Sequence, residues 1–424
     1  MIFKLNKWLY PGIRIKRWVL LLVLSLVVIV VGFSGVMGTK AGGIRIEAVN
    51  VDHFFYRLQR LKAIDYILLA LGAGGIILAF RRAYFSVLTI FAPNREKEFI
   101  NLAYKQAKLK RGPKIAAIGG GTGLPNVLRG IKNYTSNISA IVTVADDGGS
   151  SGRLRKDYRM LPPGDIRNCI VALSDEEALL GRLFQYRFDR GKSLSGHSFG
   201  NIFLTALSHV VGDLPKAINE TSKVLAIQGK VMPVSLDNLR LKAKLKDGRV
   251  IKGESKITEA LGKIERLSIE PAGCKPYPDA VKAIQEADVV IIGPGSLYTS
   301  ILPNLLVPGI KEALKNTKTL KIYICNIMTQ PGETDNYSVS DHIDAIYGHV
   351  GKGVIDIVIA NNKQPSQSLL RRYAKENSYP VKVDREEINK CGVALVRGAL
   401  FNEDKYIRHS SELLAKLVMK QIIV

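Results

Sequence analysis

Six short stretches of this chain concentrate the residue types that handle phosphate, ribose and protons. The first is Gly119 to Leu124, GGGTGL. Gly120, Gly121 and Gly123 let backbone approach a ligand closely, and Thr122 adds a hydroxyl where a helix begins. The second runs from Asp146 to Arg153, DDGGSSGR. Asp146 and Asp147 can hold a divalent cation or a ribose, while Gly149 and Ser150 offer N–H and hydroxyl contacts to phosphate. The third, PPGDIRN at 162–168, brings Asp165 as a helix cap or an activating carboxylate, and Arg167 and Asn168 as phosphate or base contacts. The fourth, GHSFGN at 196–201, presents His197 as an acid, a base, a phosphate donor or a structural loop residue, with Asn201 beside it. The fifth is GPGSLYTS at 293–300, where Gly295, Ser296, Tyr298 and Thr299 form a further candidate phosphate loop. The sixth, Met328 to Thr334, has the same character.

Such loops work only if rigid elements aim them at one place. Each follows a short apolar run or opens a helix. KIAAI at 114–118 reads as a strand leading into the first glycine loop, and a helix follows from Pro125 to Ile131. Ile138 to Ala145 ends at the aspartate pair, ADVVII at 287–292 ends at the fifth loop, and Lys321 to Asn326 leads into the sixth. Strands that each end in Gly, Ser and Asp converge on the carboxyl edge of a parallel sheet. The expected fold is α/β, a Rossmann-like doubly wound, mostly parallel sheet over residues 114–424. Residues 231–256, with a turn at Lys246-Asp247-Gly248, read as a small β-hairpin inserted into it.

Two transmembrane helices are expected to precede this domain. Residues 18–36 carry no charge, and a helix of that length reaches about 28 Å, close to a bilayer's hydrocarbon thickness. Residues 64–80 form the second apolar run, and its Gly72, Gly74 and Gly75 suit close helix packing rather than a dinucleotide loop. Basic residues before the first run and after the second predict a hairpin at 1–93 with both ends cytoplasmic, while Lys40, Arg45, Arg57, Arg60 and Lys62 between the runs leave a re-entrant or interfacial second segment open. A secretory signal is the rival, but the run is long and no small-x-small site follows it. Residues 94–113 read as a basic amphipathic linker helix ending at Gly112-Pro113.

Charge and cysteine usage bound the partners. The chain carries 61 Lys and Arg against 37 Asp and Glu, and residues 1–113 alone hold 18 against 5. An excess beside the apolar runs suits an anionic membrane surface better than a nucleic-acid groove. No nucleic-acid partner is expected. The four cysteines are too widely spaced for a zinc knuckle or redox motif and read as reduced and mostly buried.

Taken in order, GGGTGL, TVADDGGSSGRLR, PPGDIRN, GHSFGN, GPGSLYTS and NIMTQPGETD resemble the YvcK/CofD-like family, most closely its YvcK branch, whose members are labelled gluconeogenesis factors. The resemblance covers the whole expected soluble part. It implies a Rossmann-like fold. For the CofD branch it implies transfer of a phospholactyl group from a nucleotide-activated donor to a deazaflavin precursor, with Mg²⁺. For the YvcK branch it implies binding of UDP-sugars such as UDP-N-acetylglucosamine, and roles in cell shape, cell-wall synthesis and gluconeogenic growth. It also points to Tyr373 in RRYAKE and Arg408 in YIRHSS as UDP-sugar contacts. Their chemistry agrees, since a ring stacks on uracil and a guanidinium grips a diphosphate. The implied partners are a nucleotide-sugar, the membrane and cell-wall synthesis proteins, with a homo-oligomer also open. If the chain is an enzyme, it is a phospholactyl transferase of the CofD kind. In that case Asp146 and Asp147 hold Mg²⁺, and His197 or Asp165 activates the acceptor. An NAD-linked oxidoreductase is disfavoured, because no acid stands at the ribose position other than the Asp146 pair.

Overall fold

The computed structural model describes residues 15–36, 54–91, 96–174, 178–191, 193–404 and 406–422. It divides into two compact units, 1–106 and 107–424.

The larger unit is built on one seven-stranded sheet. Its strands are β1 (Ile115–Gly119), β2 (Ile138–Val142), β3 (Lys230–Pro233), β7 (Val289–Ile292), β8 (Leu320–Ile324), β9 (Ile357–Asn361) and β10 (Ala394–Gly398). They lie in the order β10-β9-β8-β7-β1-β2-β3, and every pairing is parallel. The chain runs outward from β1 through β2 to β3, then returns to the other side of β1 at β7. The point of reversal therefore lies between β1 and β7, which is where a doubly wound sheet opens a crevice at its carboxyl edge. The central strands are apolar because both faces are covered. All four residues of β7 are 0% exposed, and burial of each such side chain is worth roughly 1.5–3 kcal/mol.

The insertion is larger than the hairpin expected at 231–256. Val231 and its neighbours belong to β3 of the main sheet. The hairpin proper is β4 (Arg240–Leu245) and β5 (Val250–Lys252), turning at Lys246 to Gly248 as expected. A third antiparallel strand, β6 (Ile264–Glu270), pairs along β4 and completes a three-stranded sheet. Leu241, Ala243, Leu245 and Leu267 are all 0–1% exposed, so β4 needs cover that a two-stranded hairpin could not give.

In the first unit, helices Ile15–Val36 and Phe54–Phe91 pack on each other. Gly72 and Gly75 act as close-packing residues, as expected, and Gly74 does not. A Cβ at Gly72 would stand 2.4 Å from Ile29, one at Gly75 would stand 2.2 Å from the Ser25 hydroxyl, and one at Gly32 would stand 2.9 Å from the Asp65 carbonyl oxygen. Gly74 faces open space. One helix among the described residues, within Ala63–Ser86, is long and apolar enough to cross a membrane, with mean hydropathy 2.1. The other apolar helix of this unit is Ile15–Val36. The basic linker helix runs from Glu96 to Lys110, and the division between the units falls inside it. Its last turn belongs to the larger unit, where Leu109 is 4% exposed.

Candidate functional site

The loops after β1 and β7 meet at the point of reversal. Helix Gly123–Ile131 starts so close to the β7 loop that a Cβ on Gly123 would stand 2.2 Å from the Pro294 carbonyl oxygen. Only glycine permits this backbone-on-backbone contact. The β8 loop locks the arrangement through Asn326. Its Nδ2 donates to the Gly295 carbonyl at 2.8 Å, and its Oδ1 accepts the Gly295 N–H at 3.3 Å. Ser296 caps the turn that follows by accepting from the Thr299 N–H, and donates to buried Glu333.

A cavity of about 330 Å³ opens above these loops. Thr122, Gly123, Gly295 and Ser296 line one wall, and Asn326 and Gln330 line the β8 side. The opposite wall comes from the end of the chain. Tyr373, on helix Gln367–Ala374, accepts the Ile407 N–H at 2.9 Å through its hydroxyl, which holds Arg408 at the cavity. Tyr373 and Arg408 are thus brought to the same cavity as the glycine loops. The Arg408 guanidinium lies 5.4 Å from the Tyr406 ring centre, and Arg372 lies 5.1 Å from that ring and 5.6 Å from the Tyr373 ring. His409 also lines the cavity. Its Nε2 is shielded without a partner, and burial pulls its pKa down to about 4, so the ring is neutral at pH 7.

The other named residues form a second cluster joined to the first through Gly121. The Gly121 N–H donates to Asp165 Oδ2 at 2.8 Å. Gly120 is pressed against the same carboxylate, where an added Cβ would stand 2.7 Å from Oδ2. Burial raises the Asp165 pKa to about 6, opposed by the Gly121 N–H, with the Asp146 charge adding to the rise. Glu254, at the start of the helix between β5 and β6, approaches Asp146 and was missed in the sequence because it lies far from every glycine motif. Its pKa is held well above the carboxylate range by burial first, then by Asp146, Asp165 and Asp147.

The aspartate pair splits in role. Asp147 takes the N–H of Glu254 at 3.0 Å and both the N–H and hydroxyl of Ser255 at 2.9 Å. Both its oxygens are committed to capping helix Glu254–Glu259. Asp146 Oδ1 accepts the Gly148 N–H at 2.9 Å, and its other oxygen faces Gly164. Among the described residues no three His, Cys, Asp or Glu side chains are grouped to hold a metal ion. A cation here would draw on Asp146 and on phosphate oxygens of a ligand, the manner in which Mg²⁺ is often held. Asp147 does not fit as a second ligand.

Beside the acids lies a buried polar network. Ser150 Oγ and His197 Nδ1 are 2.9 Å apart, and Asn201 Nδ2 donates to Ser150 at 3.1 Å. Arg167 donates to Ser198, to Asn201 Oδ1 at 2.9 Å and to Asn168 at 2.7 Å, while its Nε is buried without a partner. Burial and the Arg153 charge lower the His197 pKa, which leaves a neutral base against a hydroxyl. Gly149 is exposed at the start of helix Gly149–Tyr158. Tyr298 and Thr299 do not line the cavity. Tyr298 is 2% exposed with its hydroxyl 2.9 Å from that of Tyr337, and Thr299 is turned onto Ser296 and Glu333.

Comparison with known proteins agrees with this fold. The CofD family profile, described as 2-phospho-L-lactate transferase CofD, matches residues 115–401. A Nostoc sp. (strain PCC 7120) protein named "Putative gluconeogenesis factor" is 46% identical over 432 residues, covering 98% of this chain and 92% of its own length. The Bacillus subtilis (strain 168) protein named "Gluconeogenesis factor" is 48% identical over 308 residues, 72% of this chain and 97% of its own. A crystal structure of a UPF0052 family member from Bacillus halodurans, 47% identical, covers 73% of this chain and 99% of its own with a TM-score of 0.71. Some relatives thus align along the N-terminal unit and others only along the larger one. The chain belongs to the CofD family, in the YvcK branch whose members carry the name gluconeogenesis factor.

Proposed function

We propose that the larger unit binds a UDP-sugar, of the UDP-N-acetylglucosamine kind, and that the chain is a membrane-attached regulator of cell shape, cell-wall synthesis and gluconeogenic growth. The supporting observation is the convergence of Tyr373 and Arg408 with the two glycine loops on one cavity at the point of strand reversal. A volume of about 330 Å³ lies within the range of small-molecule sites. The Tyr373 ring would stack on uracil, Arg408 would grip the diphosphate, and the Thr122 to Gly123 backbone would donate to it. Attachment would come from the apolar helix within Ala63–Ser86 and the basic residues around it. The regulated proteins would be those of wall synthesis, and self-association of the chain is compatible with the same reading.

A CofD-like phosphotransferase is the second reading, favoured by the acidic cluster and the Ser150–His197 contact. Mg²⁺, when bound, would neutralise phosphate charge at the Asp146 edge. Asp165 or neutral His197 would take the proton from an acceptor hydroxyl.

Calorimetry of the full-length chain in detergent with UDP-N-acetylglucosamine, GTP and NAD separates these readings. Saturable heat with the UDP-sugar supports the first, and no heat with any UDP-sugar rejects it. Turnover of a guanylylated phospholactate donor would establish the second. For attachment, the chain is expected in the membrane fraction of lysed cells, and full recovery in the soluble fraction would reject it.

A further inference from the structure

A second cavity, of about 290 Å³, opens at the opposite, amino-terminal edge of the sheet. It is lined by the starts of β1, β2 and β3, with Lys114, Ser136, Ser139 and Lys230 around it. Both lysines are exposed, and neither ammonium has a partner among the described residues. The Ser136 and Ser139 hydroxyls are also without protein partners there. The one acid in the wall, Glu286, faces Lys282 at 3.8 Å. Asp288, next to the rim, already accepts the Lys114 N–H at 2.8 Å. Two free ammonium groups and two free hydroxyls around one concavity suit a phosphate group.

The position narrows the source of that phosphate. The cavity rim is stitched to the incoming linker. Ser136 N–H donates to the Leu109 carbonyl at 3.0 Å, and Asn137 Nδ2 donates to the Lys110 and Gly112 carbonyls at 2.9 and 2.7 Å. Lys108, Lys110 and Arg111 stand in that segment, which is the chain's route from the apolar helix. Basic residues beside a membrane segment are drawn to anionic lipid. We propose that this cavity binds the phosphate of an anionic lipid headgroup through Lys114, Lys230, Ser136 and Ser139. The proposal rests on the membrane attachment proposed above. It assigns the sheet's two edges to different ligands.

The test uses the full-length chain, first located by fractionation and then extracted in detergent. Native mass spectrometry reads retention of phosphatidylglycerol against phosphatidylcholine. The wild-type chain is expected to retain the anionic lipid selectively. The Lys114→Ser/Lys230→Ser double variant should weaken retention about twenty-five-fold, since each lysine near a headgroup contributes about five-fold. Lys114→Arg/Lys230→Arg should keep it, which separates lost charge from misfolding. Equal retention by wild type and the serine variant would overturn the proposal. Inorganic phosphate bound with the same lysine dependence, and no preference for the lipid, would assign the cavity to a free anion and overturn the lipid occupant. A chain found wholly in the soluble fraction fails at the first step, so loss of the membrane reading is told apart from loss of the headgroup site.

Discussion

The Gly121 amide donates to Asp165 Oδ2 at 2.8 Å, so the first glycine loop and the acidic cluster share one hydrogen bond. The bond favours the ionised carboxylate, yet burial wins and leaves the pKa at about 6, above its ordinary 3.8. A carboxyl whose folded pKa is raised binds its proton more tightly in the folded state. Its contribution is therefore most favourable below about pH 4 and is lost as pH rises through about 6. Asp165→Asn keeps an acceptor for Gly121 and removes the titration. The variant should gain thermal stability relative to wild type between pH 4 and 7, with little difference at pH 4. A melting difference that stays flat across this range would contradict the assignment.

Gly123→Ala should damage the crevice from within. Its Cβ would stand 2.2 Å from the Pro294 carbonyl, a backbone atom that cannot rotate away. Overpacking of this kind costs about 1–3 kcal/mol. The expected result is a lower melting temperature together with loss of UDP-sugar binding. Unchanged melting would mean the two loops are further apart than described.

Asp147 is predicted to be a structural cap. Asp147→Ala removes three hydrogen bonds from the start of helix Glu254–Glu259. A lost cap costs about 0.5–2 kcal/mol. Hydrogen exchange should quicken across residues 254–259 while the strands of the main sheet stay protected. Faster exchange throughout the larger unit would instead make Asp147 part of the global core.

Tyr373→Phe isolates the hydroxyl that holds the Ile407 amide. The ring stays, so stacking stays, but a buried N–H loses its partner at about 1–3 kcal/mol. UDP-sugar affinity should fall about ten-fold or less through Arg408, a smaller loss than for Tyr373→Ala, which also gives up about 1–3 kcal/mol of base stacking. Titration calorimetry of both variants checks the order, and a larger loss for the phenylalanine than for the alanine would contradict it.

How much of this was legible before the structure depends on sequence distance. Each β-strand followed by glycine was readable because apolar run and loop are contiguous, as at Ile115 to Leu124. The start of the insertion is ambiguous in sequence because Val231 to Pro233 has the same short apolar pattern whether it joins a hairpin or the main sheet. Strand pairing decides that, and pairing is non-local. The Asp146–Asp147 pair reads as one unit in sequence, yet the two carboxylates take different partners. Asp147 turned to the insertion, and Asp146 stayed with Asp165. Glu254 carried no local signal at all, since its partners lie more than eighty positions earlier. Tyr298 and Thr299 follow a glycine loop, but the turn they sit on is wholly buried.

The position of a bound UDP-sugar is the decisive measurement. A crystal structure of the larger unit with UDP-N-acetylglucosamine should place the uracil on the Tyr373 ring and the diphosphate between Arg408 and the Thr122-Gly123 backbone. Ligand density at any other place on the sheet, or a diphosphate out of reach of Arg408, would contradict it.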